Sequence, residues 1–196
     1  AIEIIKKVGL SDPRSIMRKY PHMLSGGMQQ RVMIAMALSC NPKLIIADEP
    51  TTALDVTIQL QIMKLLVDLQ KEFQMSIILI THDIGVVAEL ADRVTIMYAG
   101  QFMEEASVYQ LFDKPYHPYT NALLKSIPSI YDDKNRKLAS IPGTVPEDYS
   151  AIKGCKFADR CPYKVPLCEE IQVLSEMESD HFVRCHRAEK GELVYE

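Results

Sequence analysis

Leu44-Ile45-Ile46-Ala47-Asp48-Glu49-Pro50 is an apolar run that closes on two acids and a proline. It lacks the alternation of a half-exposed strand and is too short for a helix, so it predicts a strand buried on both faces. A second such run, Ser76-Ile77-Ile78-Leu79-Ile80, leads into Thr81-His82-Asp83. Between them Val56 to Phe73 has helical spacing, and Ile84 to Ala91 is helical again before a further strand at Val94 to Tyr98. Strand, helix, strand, helix, strand predicts an α/β protein with a parallel sheet. Parallel sheets place ligands at the carboxyl ends of their strands, where Asp48, Glu49 and His82 stand.

Upstream, Ile2, Ile5 and Val8 are spaced for one helix face ending near Gly9, and Ser11-Asp12-Pro13-Arg14 opens a second short helix. Pro21-His22-Met23-Leu24-Ser25-Gly26-Gly27 interrupts the pattern before a helix over Met28 to Ser39. Downstream, Val94 to Tyr98 and Gln101 to Glu105 form a hairpin around Ala99-Gly100. After about Ala106 the character changes. Two short helices near 107–112 and 118–126 lead into a linker marked by Ile141-Pro142-Gly143 and Val145-Pro146, and cysteines follow.

The 196 residues suffice for one sizeable core and a small appendage. Lys and Arg number 22 against 26 Asp and Glu, and the formal net charge of -4 gives no reason to expect a nucleic-acid partner. No apolar run approaches the roughly 20 residues that span a bilayer. The chain opens Ala1-Ile2-Glu3-Ile4-Ile5, inside a helix-like stretch and without Met, as expected of a fragment. Four of the five cysteines, Cys155, Cys161, Cys168 and Cys185, share one stretch near the end. Without an export signal such a cluster reads as a metal site before a disulfide framework.

Leu24-Ser25-Gly26-Gly27-Met28-Gln29-Gln30-Arg31 places a hydroxyl and free backbone N–H groups at the positive end of a helix, an arrangement suited to phosphate oxygens. On its own Ser-Gly-Gly is more simply explained as an N-capped helix after a loop. At the first strand end, Asp48 has the chemistry to hold Mg²⁺ and Glu49 to polarise an attacking water. Alone, the two acids need only solvate a strand end. His82 has the reach for a γ-phosphate, and alone it reads as a satisfied structural histidine. Together, in this order and each at the end of an element, they point to nucleotide chemistry.

These residues resemble the ATP-binding subunits of ABC transporters over residues 1 to about 106. Leu24 to Arg31 is similar to the signature motif, Leu44 to Glu49 to a Walker B strand with its catalytic Glu, Ala53-Leu54-Asp55 to the D-loop, and His82 to the switch histidine. Thr52 stands where the family usually has Ser, a change that keeps the hydroxyl. The resemblance implies ATP with Mg²⁺, part of a P-loop NTPase sheet with a helical subdomain, and a nucleotide sandwich dimer with a second ATPase subunit. Ser25, Gly27 and Gln29 would reach the γ-phosphate held by the partner, with Gly26 and Asp55 also at the nucleotide. The phosphate-cradling G-x-x-x-x-G-K-[ST] and the Gln loop are absent, and in the family both precede the signature.

His117-Pro118-Tyr119-Thr120, Leu123-Leu124, Ser126-Ile127-Pro128, Ile141-Pro142-Gly143 and Gly154 to Pro162 resemble the C-terminal extension of oligopeptide and dipeptide importer ATPases, part of which nickel importers share. Two regions follow: 1–106, the ABC portion, and 107–196, the extension with its four-cysteine lobe. The cysteines are separated by five, six and sixteen residues, unlike the close pairs of structural zinc sites. The resemblance implies a [4Fe–4S] cluster on Cys155, Cys161, Cys168 and Cys185. Zinc, with His181 or His186 replacing a cysteine, and unmetallated thiols or disulfides remain alternatives. So small a lobe, with few apolar residues, is expected to draw folding energy from its metal. Cys40 is expected in the core.

The resemblance implies an energy-coupling ATPase at the cytoplasmic face of a prokaryotic membrane, working with permease subunits and, indirectly, a substrate-binding protein. The rivals are a metal-binding, dimerising regulatory module and an ABC ATPase of repair or translation. Without the phosphate-cradling loop, the isolated 196 residues are expected neither to bind ATP tightly nor to hydrolyse it. Turnover above that of a Glu49→Gln control would contradict this.

Overall fold

The computed structural model describes residues 1–52, 54–128 and 140–193, and Tyr195. It forms two compact units, Ala1–Asp83 and Ile84–Glu196.

In the first unit, α1 (Ile2–Lys7), α2 (Pro13–Ile16), a 3-10 turn at Pro21–Met23 and α3 (Gly26–Leu38) precede β1 (Leu44–Asp48), α4 (Val56–Phe73) and β2 (Ser76–Ile80). Helix α2 starts where the Asp12 carboxylate accepts from the Ser15 N–H at 3.3 Å, with Pro13 in the first turn. Helix α4 starts where Asp55 accepts from the Ile58 N–H at 3.0 Å, and it ends at Gln74 in the left-handed region. Its buried residues Ile62, Met63, Leu66 and Leu69 make one stripe at helical spacing. Val8, Leu38 and Ile62 are wholly buried in this unit's core, each contributing about 1.5–3 kcal/mol. The Arg31 guanidinium ties this packing together, donating to the Val8 carbonyl at 2.7 Å and to Gln61 at 3.4 Å. Gly9, at φ 75°, passes so close that a Cβ would stand 2.9 Å from Arg31 Nη1.

Strands β1 and β2 pair in parallel, Leu44 opposite Ser76 through Asp48 opposite Ile80. Burial on both faces does not hold: Leu44, Ile46, Ile78 and Ile80 lie between 46% and 63% exposed. These four share one face of the pleat, which is open among the described residues, while Ile45, Ala47, Ile77 and Leu79 on the other are half-buried. Cys40 corrects a second expectation. It follows the α3 C-cap Ser39 and is exposed rather than in the core.

The second unit contains α5 (Ile84–Leu90), β3 (Arg93–Tyr98), β4 (Gln101–Ser107), α6 (Val108–Asp113), α7 (Pro118–Lys125), β5 (Ser175–Glu178), β6 (His181–Val183) and α8 (His186–Glu189), with 3-10 turns at Ala158–Arg160 and Pro166–Glu169. Ala99 and Gly100 both have positive φ, 47° and 74°, as a two-residue hairpin turn requires. That turn makes β3 antiparallel to β4, as the hairpin predicted, but among the described residues β3 pairs with neither β1 nor β2, so it is not the third strand of the parallel sheet that the alternation predicted. The second sheet runs β3-β4-β6-β5, antiparallel throughout. Its β5 and β6 come from the cysteine-bearing tail and were not foreseen. No helix of the described residues is long and apolar enough to cross a membrane.

The tail also shares its core with the hairpin: Tyr98 and Met103 pack with Cys155, Phe157, Ala158 and Cys168. Phe157 sets its ring against Tyr98 and Tyr119, at 5.4 and 5.2 Å between centroids. The lobe therefore has apolar packing beyond its own residues. Gly154 is required here, since a Cβ would fall 2.2 Å from the Cys168 carbonyl oxygen. The adjacent Cys155 N–H donates to that same oxygen at 2.8 Å.

Glu104, wholly buried on β4, is the polar centre of the unit. It accepts from the Tyr116 N–H at 2.6 Å and the His117 N–H at 2.9 Å, and pairs with His181 Nε2 on β6 at 2.7 Å. Its half-buried neighbour on the strand, Glu105, meets Arg93 at 3.0 Å. Glu104→Ala orphans three buried polar groups and is expected to cost about 3 kcal/mol or more. Glu105→Ala is expected to cost less than about 1 kcal/mol. Urea-denaturation midpoints check both, and equal losses would contradict this account of Glu104.

Candidate functional site

The sharpest chemistry lies at the carboxyl ends of β1 and β2. Glu49, one residue past β1, has φ 43°, and its N–H donates to the Ile80 carbonyl at 2.9 Å, extending the ladder by one bond. The chain turns there, closed by the Thr52 N–H donating to the Glu49 carbonyl at 3.1 Å. The turn brings the Thr52 hydroxyl to Glu49 Oε2, donating at 2.8 Å, and Glu49 Oε1 lies 3.1 Å from His82 Nδ1. His82 is carried by a braced loop. The Thr81 hydroxyl accepts from the Asp83 N–H at 3.0 Å, and Gln59 of α4 donates to the Asp83 carboxylate at 2.9 Å.

Hydrogen bonds from Thr52 and then His82 hold the Glu49 carboxyl below the usual carboxylate range. Its pairing with them is therefore present above the ordinary carboxylate pKa and is lost only as pH falls through the lowered one. At neutral pH Glu49 is ionised, an acceptor suited to orienting a water more than to retaining its proton. Both side chains reach solvent, His82 at 81% and Glu49 at 46% exposure. Asp48, at the last position of β1, is exposed at the same end.

The Leu24–Arg31 segment is placed differently in detail. Ser25 is the N-cap of α3, its hydroxyl accepting from the Met28 N–H at 3.4 Å. Gly26 and Gly27 lie against the start of α4, where Cβ atoms would meet Leu54 Cδ2 at 3.2 Å and Ile58 Cγ2 at 2.8 Å. The glycines thus let α3 approach the segment carrying Asp55. The Gln29 amide turns back, donating to the Pro21 and Leu24 carbonyls at 2.9 and 3.1 Å. Asp55 is the N-cap of α4, and Ala53 lies outside the described residues.

Cys155, Cys161, Cys168 and Cys185 line one cavity, together with His117 and His186. All are free thiols, so the disulfide alternative is not realised. Burial pushes Cys155 up to about 12 and Cys161 up to about 11, and it raises Cys185 as well. Four thiols around one cavity match the donor type and number of a thiolate-held centre. Among the described residues, however, no three His, Cys, Asp or Glu side chains are gathered closely enough to hold a metal ion, so the expected metal-binding lobe is not supported as such. Of the two histidines considered as replacement ligands, His181 is engaged by Glu104. His186 Nδ1 lies 3.0 Å from Gln172 Oε1 at the cavity wall.

Sequence reasoning missed Arg31, Gln59, Glu104 and His117. The first lies inside the signature octet, and its reach to Val8 is a long-range contact with no local mark. His117 was noticed only as part of a tail motif.

An ABC transporter family model matches residues 1–52, and that of the oligopeptide/dipeptide transporter C-terminal region matches 103–168. The chain is 56% identical to the oligopeptide transport ATP-binding protein AppD of Bacillus subtilis over 186 residues, 94% of this chain and 56% of that protein. It is 53% identical to the dipeptide transport ATP-binding protein DppD of Haemophilus influenzae over 185 residues, again 94% and 56%. The chain thus spans little more than half the length of these relatives. Among solved structures, the cbiO1 component of a Clostridium perfringens ABC transporter complex is 38% identical with a TM-score of 0.51, over 57% of this chain and 43% of that one. A putative metal-chelate type ABC transporter in an inward-facing conformation is 27% identical with a TM-score of 0.51, over 56% and 42%. With both family models matched, one at each end of the described fold, and half of its residues shared with peptide-transporter relatives, the chain belongs to the ABC transporter family, in its oligopeptide/dipeptide type.

Proposed function

We propose that this chain is part of an ATP-hydrolysing, energy-coupling subunit of an importer for oligopeptides or dipeptides. The observation that carries the reading is the Glu49 carboxylate held between Thr52 and His82 at the end of a parallel strand pair. The relatives' printed functions in dipeptide and oligopeptide transport support the substrate class. The subunit would act peripherally at the cytoplasmic face of a bacterial membrane, paired with a second ATPase subunit and with permease subunits. A substrate-binding protein would deliver the peptide indirectly.

Each residue has a role that its position supports. Asp48 would organise Mg²⁺ through water, and Glu49 would orient the attacking water in line with the γ-phosphate. His82 would meet the γ-phosphate from the neighbouring strand end. Ser25, Gly26, Gly27 and Gln29, with Asp55 at the adjoining helix start, would complete the partner's nucleotide site. For Gln29 this requires releasing its amide from the Pro21 and Leu24 carbonyls, a change that nucleotide binding would drive.

Residues 1–106 would carry this ATP chemistry, and 107–196 the peptide-type extension. The four cysteines of that extension would hold a [4Fe–4S] cluster, with zinc as the alternative, once the side chains draw in around the metal. Their common cavity and all-thiol donor set support this, and iron, sulfide and zinc analysis of anaerobically purified protein tests it.

Glu49→Gln keeps the Thr52 hydrogen bond and removes the charge. In the assembled importer it is expected to lower ATP turnover about 10²–10⁴-fold while leaving ATP binding intact. Turnover within twofold of the unaltered protein would contradict the assignment of Glu49.

A further inference from the structure

Between Pro13 and Ala47 lie five of the chain's 22 Lys and Arg residues and none of its 26 Asp and Glu, although the net charge is -4. Positive charge is therefore segregated in this stretch against the trend of the whole. Arg31 is engaged inside the first unit by the Val8 carbonyl and Gln61. Arg14, Arg18 and Lys19 are exposed and make no hydrogen bond or ion pair among the described residues.

The same stretch exposes apolar surface. Every residue of Met17-Arg18-Lys19-Tyr20-Pro21-His22-Met23 is exposed, Met17 at 54%, Tyr20 at 65% and Met23 at 56%. The Tyr20 and His22 rings are stacked, 5.7 Å apart between centroids and 6° between planes. The backbone beneath them is ordered. Ile16 is buried in the core, and the Arg18 and Lys19 N–H groups donate to the Ser15 and Ile16 carbonyls at 3.0 Å each. The Met23 N–H donates to the Tyr20 carbonyl at 2.9 Å, and the Gln29 amide holds the Pro21 carbonyl at 2.9 Å. An ordered segment thus presents unpaired cations and large apolar side chains together, a combination that marks an interaction surface.

We propose that residues 14–23 form a contact site for an anionic phospholipid surface, with Arg14, Arg18 and Lys19 meeting the headgroups and Met17, Tyr20 and Met23 entering the headgroup boundary. Charge complementarity carries the choice of occupant, since basic residues near such a surface each contribute about fivefold in partitioning. Tyr has the amphipathic ring suited to the headgroup level, and Met a flexible side chain suited to an irregular apolar boundary. A partner helix would need a groove. A stretch in which all seven residues from 17 to 23 are exposed offers none, whereas a headgroup layer moulds to it. The site goes beyond the ATPase reading, which brings the subunit to a membrane through permease subunits alone.

The test is co-sedimentation of the whole chain, without nucleotide, with vesicles of phosphatidylcholine alone or mixed with phosphatidylglycerol. Binding to the mixed vesicles is expected to be at least about tenfold tighter, and to fall as salt shortens the screening length from about 10 Å at 0.1 M to about 3 Å at 1 M. Arg18→Gln combined with Lys19→Gln should weaken it about 25-fold. Arg18→Lys should bind as the unaltered chain does. Tyr20→Ser should weaken binding while keeping its salt dependence. Lys153→Gln combined with Lys190→Gln removes the same charge from exposed positions elsewhere, and should change binding less than twofold. Circular dichroism that matches across the set establishes that each variant is folded. Equal binding to both kinds of vesicle would overturn the proposal, assigning adsorption to apolar surface such as the open face at Leu44, Ile46, Ile78 and Ile80. Equal weakening by the two double substitutions would overturn it in favour of net charge. Failure to bind vesicles, with Arg18- and Lys19-dependent capture of an acidic amphipathic peptide, would assign the surface to a protein partner instead. Because no nucleotide is present, each of these failures leaves the Glu49 assignment standing.

Discussion

One backbone bond, from the Glu49 N–H to the Ile80 carbonyl, sets the geometry of the paired strand ends. The parallel register ends with Asp48 opposite Ile80, and the added bond carries the pairing one residue further. The turn that follows then has no choice but to set the Glu49 carboxylate beside Thr52 and the loop bearing His82. A slip of one residue would reverse the faces of every side chain on the strand and separate the pair. The Glu49, Thr52 and His82 geometry is thus a product of sheet register, with the Gln59–Asp83 bond as a brace from the helix that joins the two strands.

In the second unit the comparable constraint is the buried Glu104. Three donors from two segments converge on one carboxylate, and the antiparallel sheet, the cap of α7 and the orientation of His117 all follow from it. A charge with this many partners is retained because removing it leaves each partner unsatisfied in a dry environment. Around it, the Tyr98, Phe157 and Tyr119 rings give the cysteine-bearing tail a core that the tail alone could not form. The second unit is therefore a hairpin and a tail folded on each other, with the thiols at their common cavity.

Much of this was legible in the sequence where the cause is local. The two apolar runs, the span of α4, the helix start at Ser11 to Arg14, the Ser25 cap and the Ala99-Gly100 turn are each written in residues within a few positions of one another. The Glu49–His82 meeting was legible because strand ends in a parallel pair are neighbours. What escaped depends on distant partners. Strands β5 and β6 are short and polar, and their pairing with β4 cannot be read from Ser175 to Val183 alone. Glu104 looks like a surface acid beside Glu105 until the Tyr116 and His117 amides arrive from outside the strand. The open face at Leu44, Ile46, Ile78 and Ile80 likewise depends on what lies over the sheet, not on the strands. Gln29 was assigned outward on its motif, whereas local carbonyls at Pro21 and Leu24 claim it in this conformation.

The two units place the chain's candidate chemistry in two places: the strand ends bearing Asp48, Glu49 and His82, and a sulfur-lined cavity. In the proposed reading only the first bears on energy coupling. The central claim is that this edge powers peptide import. The measurement that tests it most directly is ATP hydrolysis by the assembled importer in lipid vesicles, with and without binding protein loaded with di- or oligopeptide. The account predicts that peptide-loaded binding protein stimulates hydrolysis several-fold. Hydrolysis that ignores every peptide, or that responds to nickel instead, would contradict it.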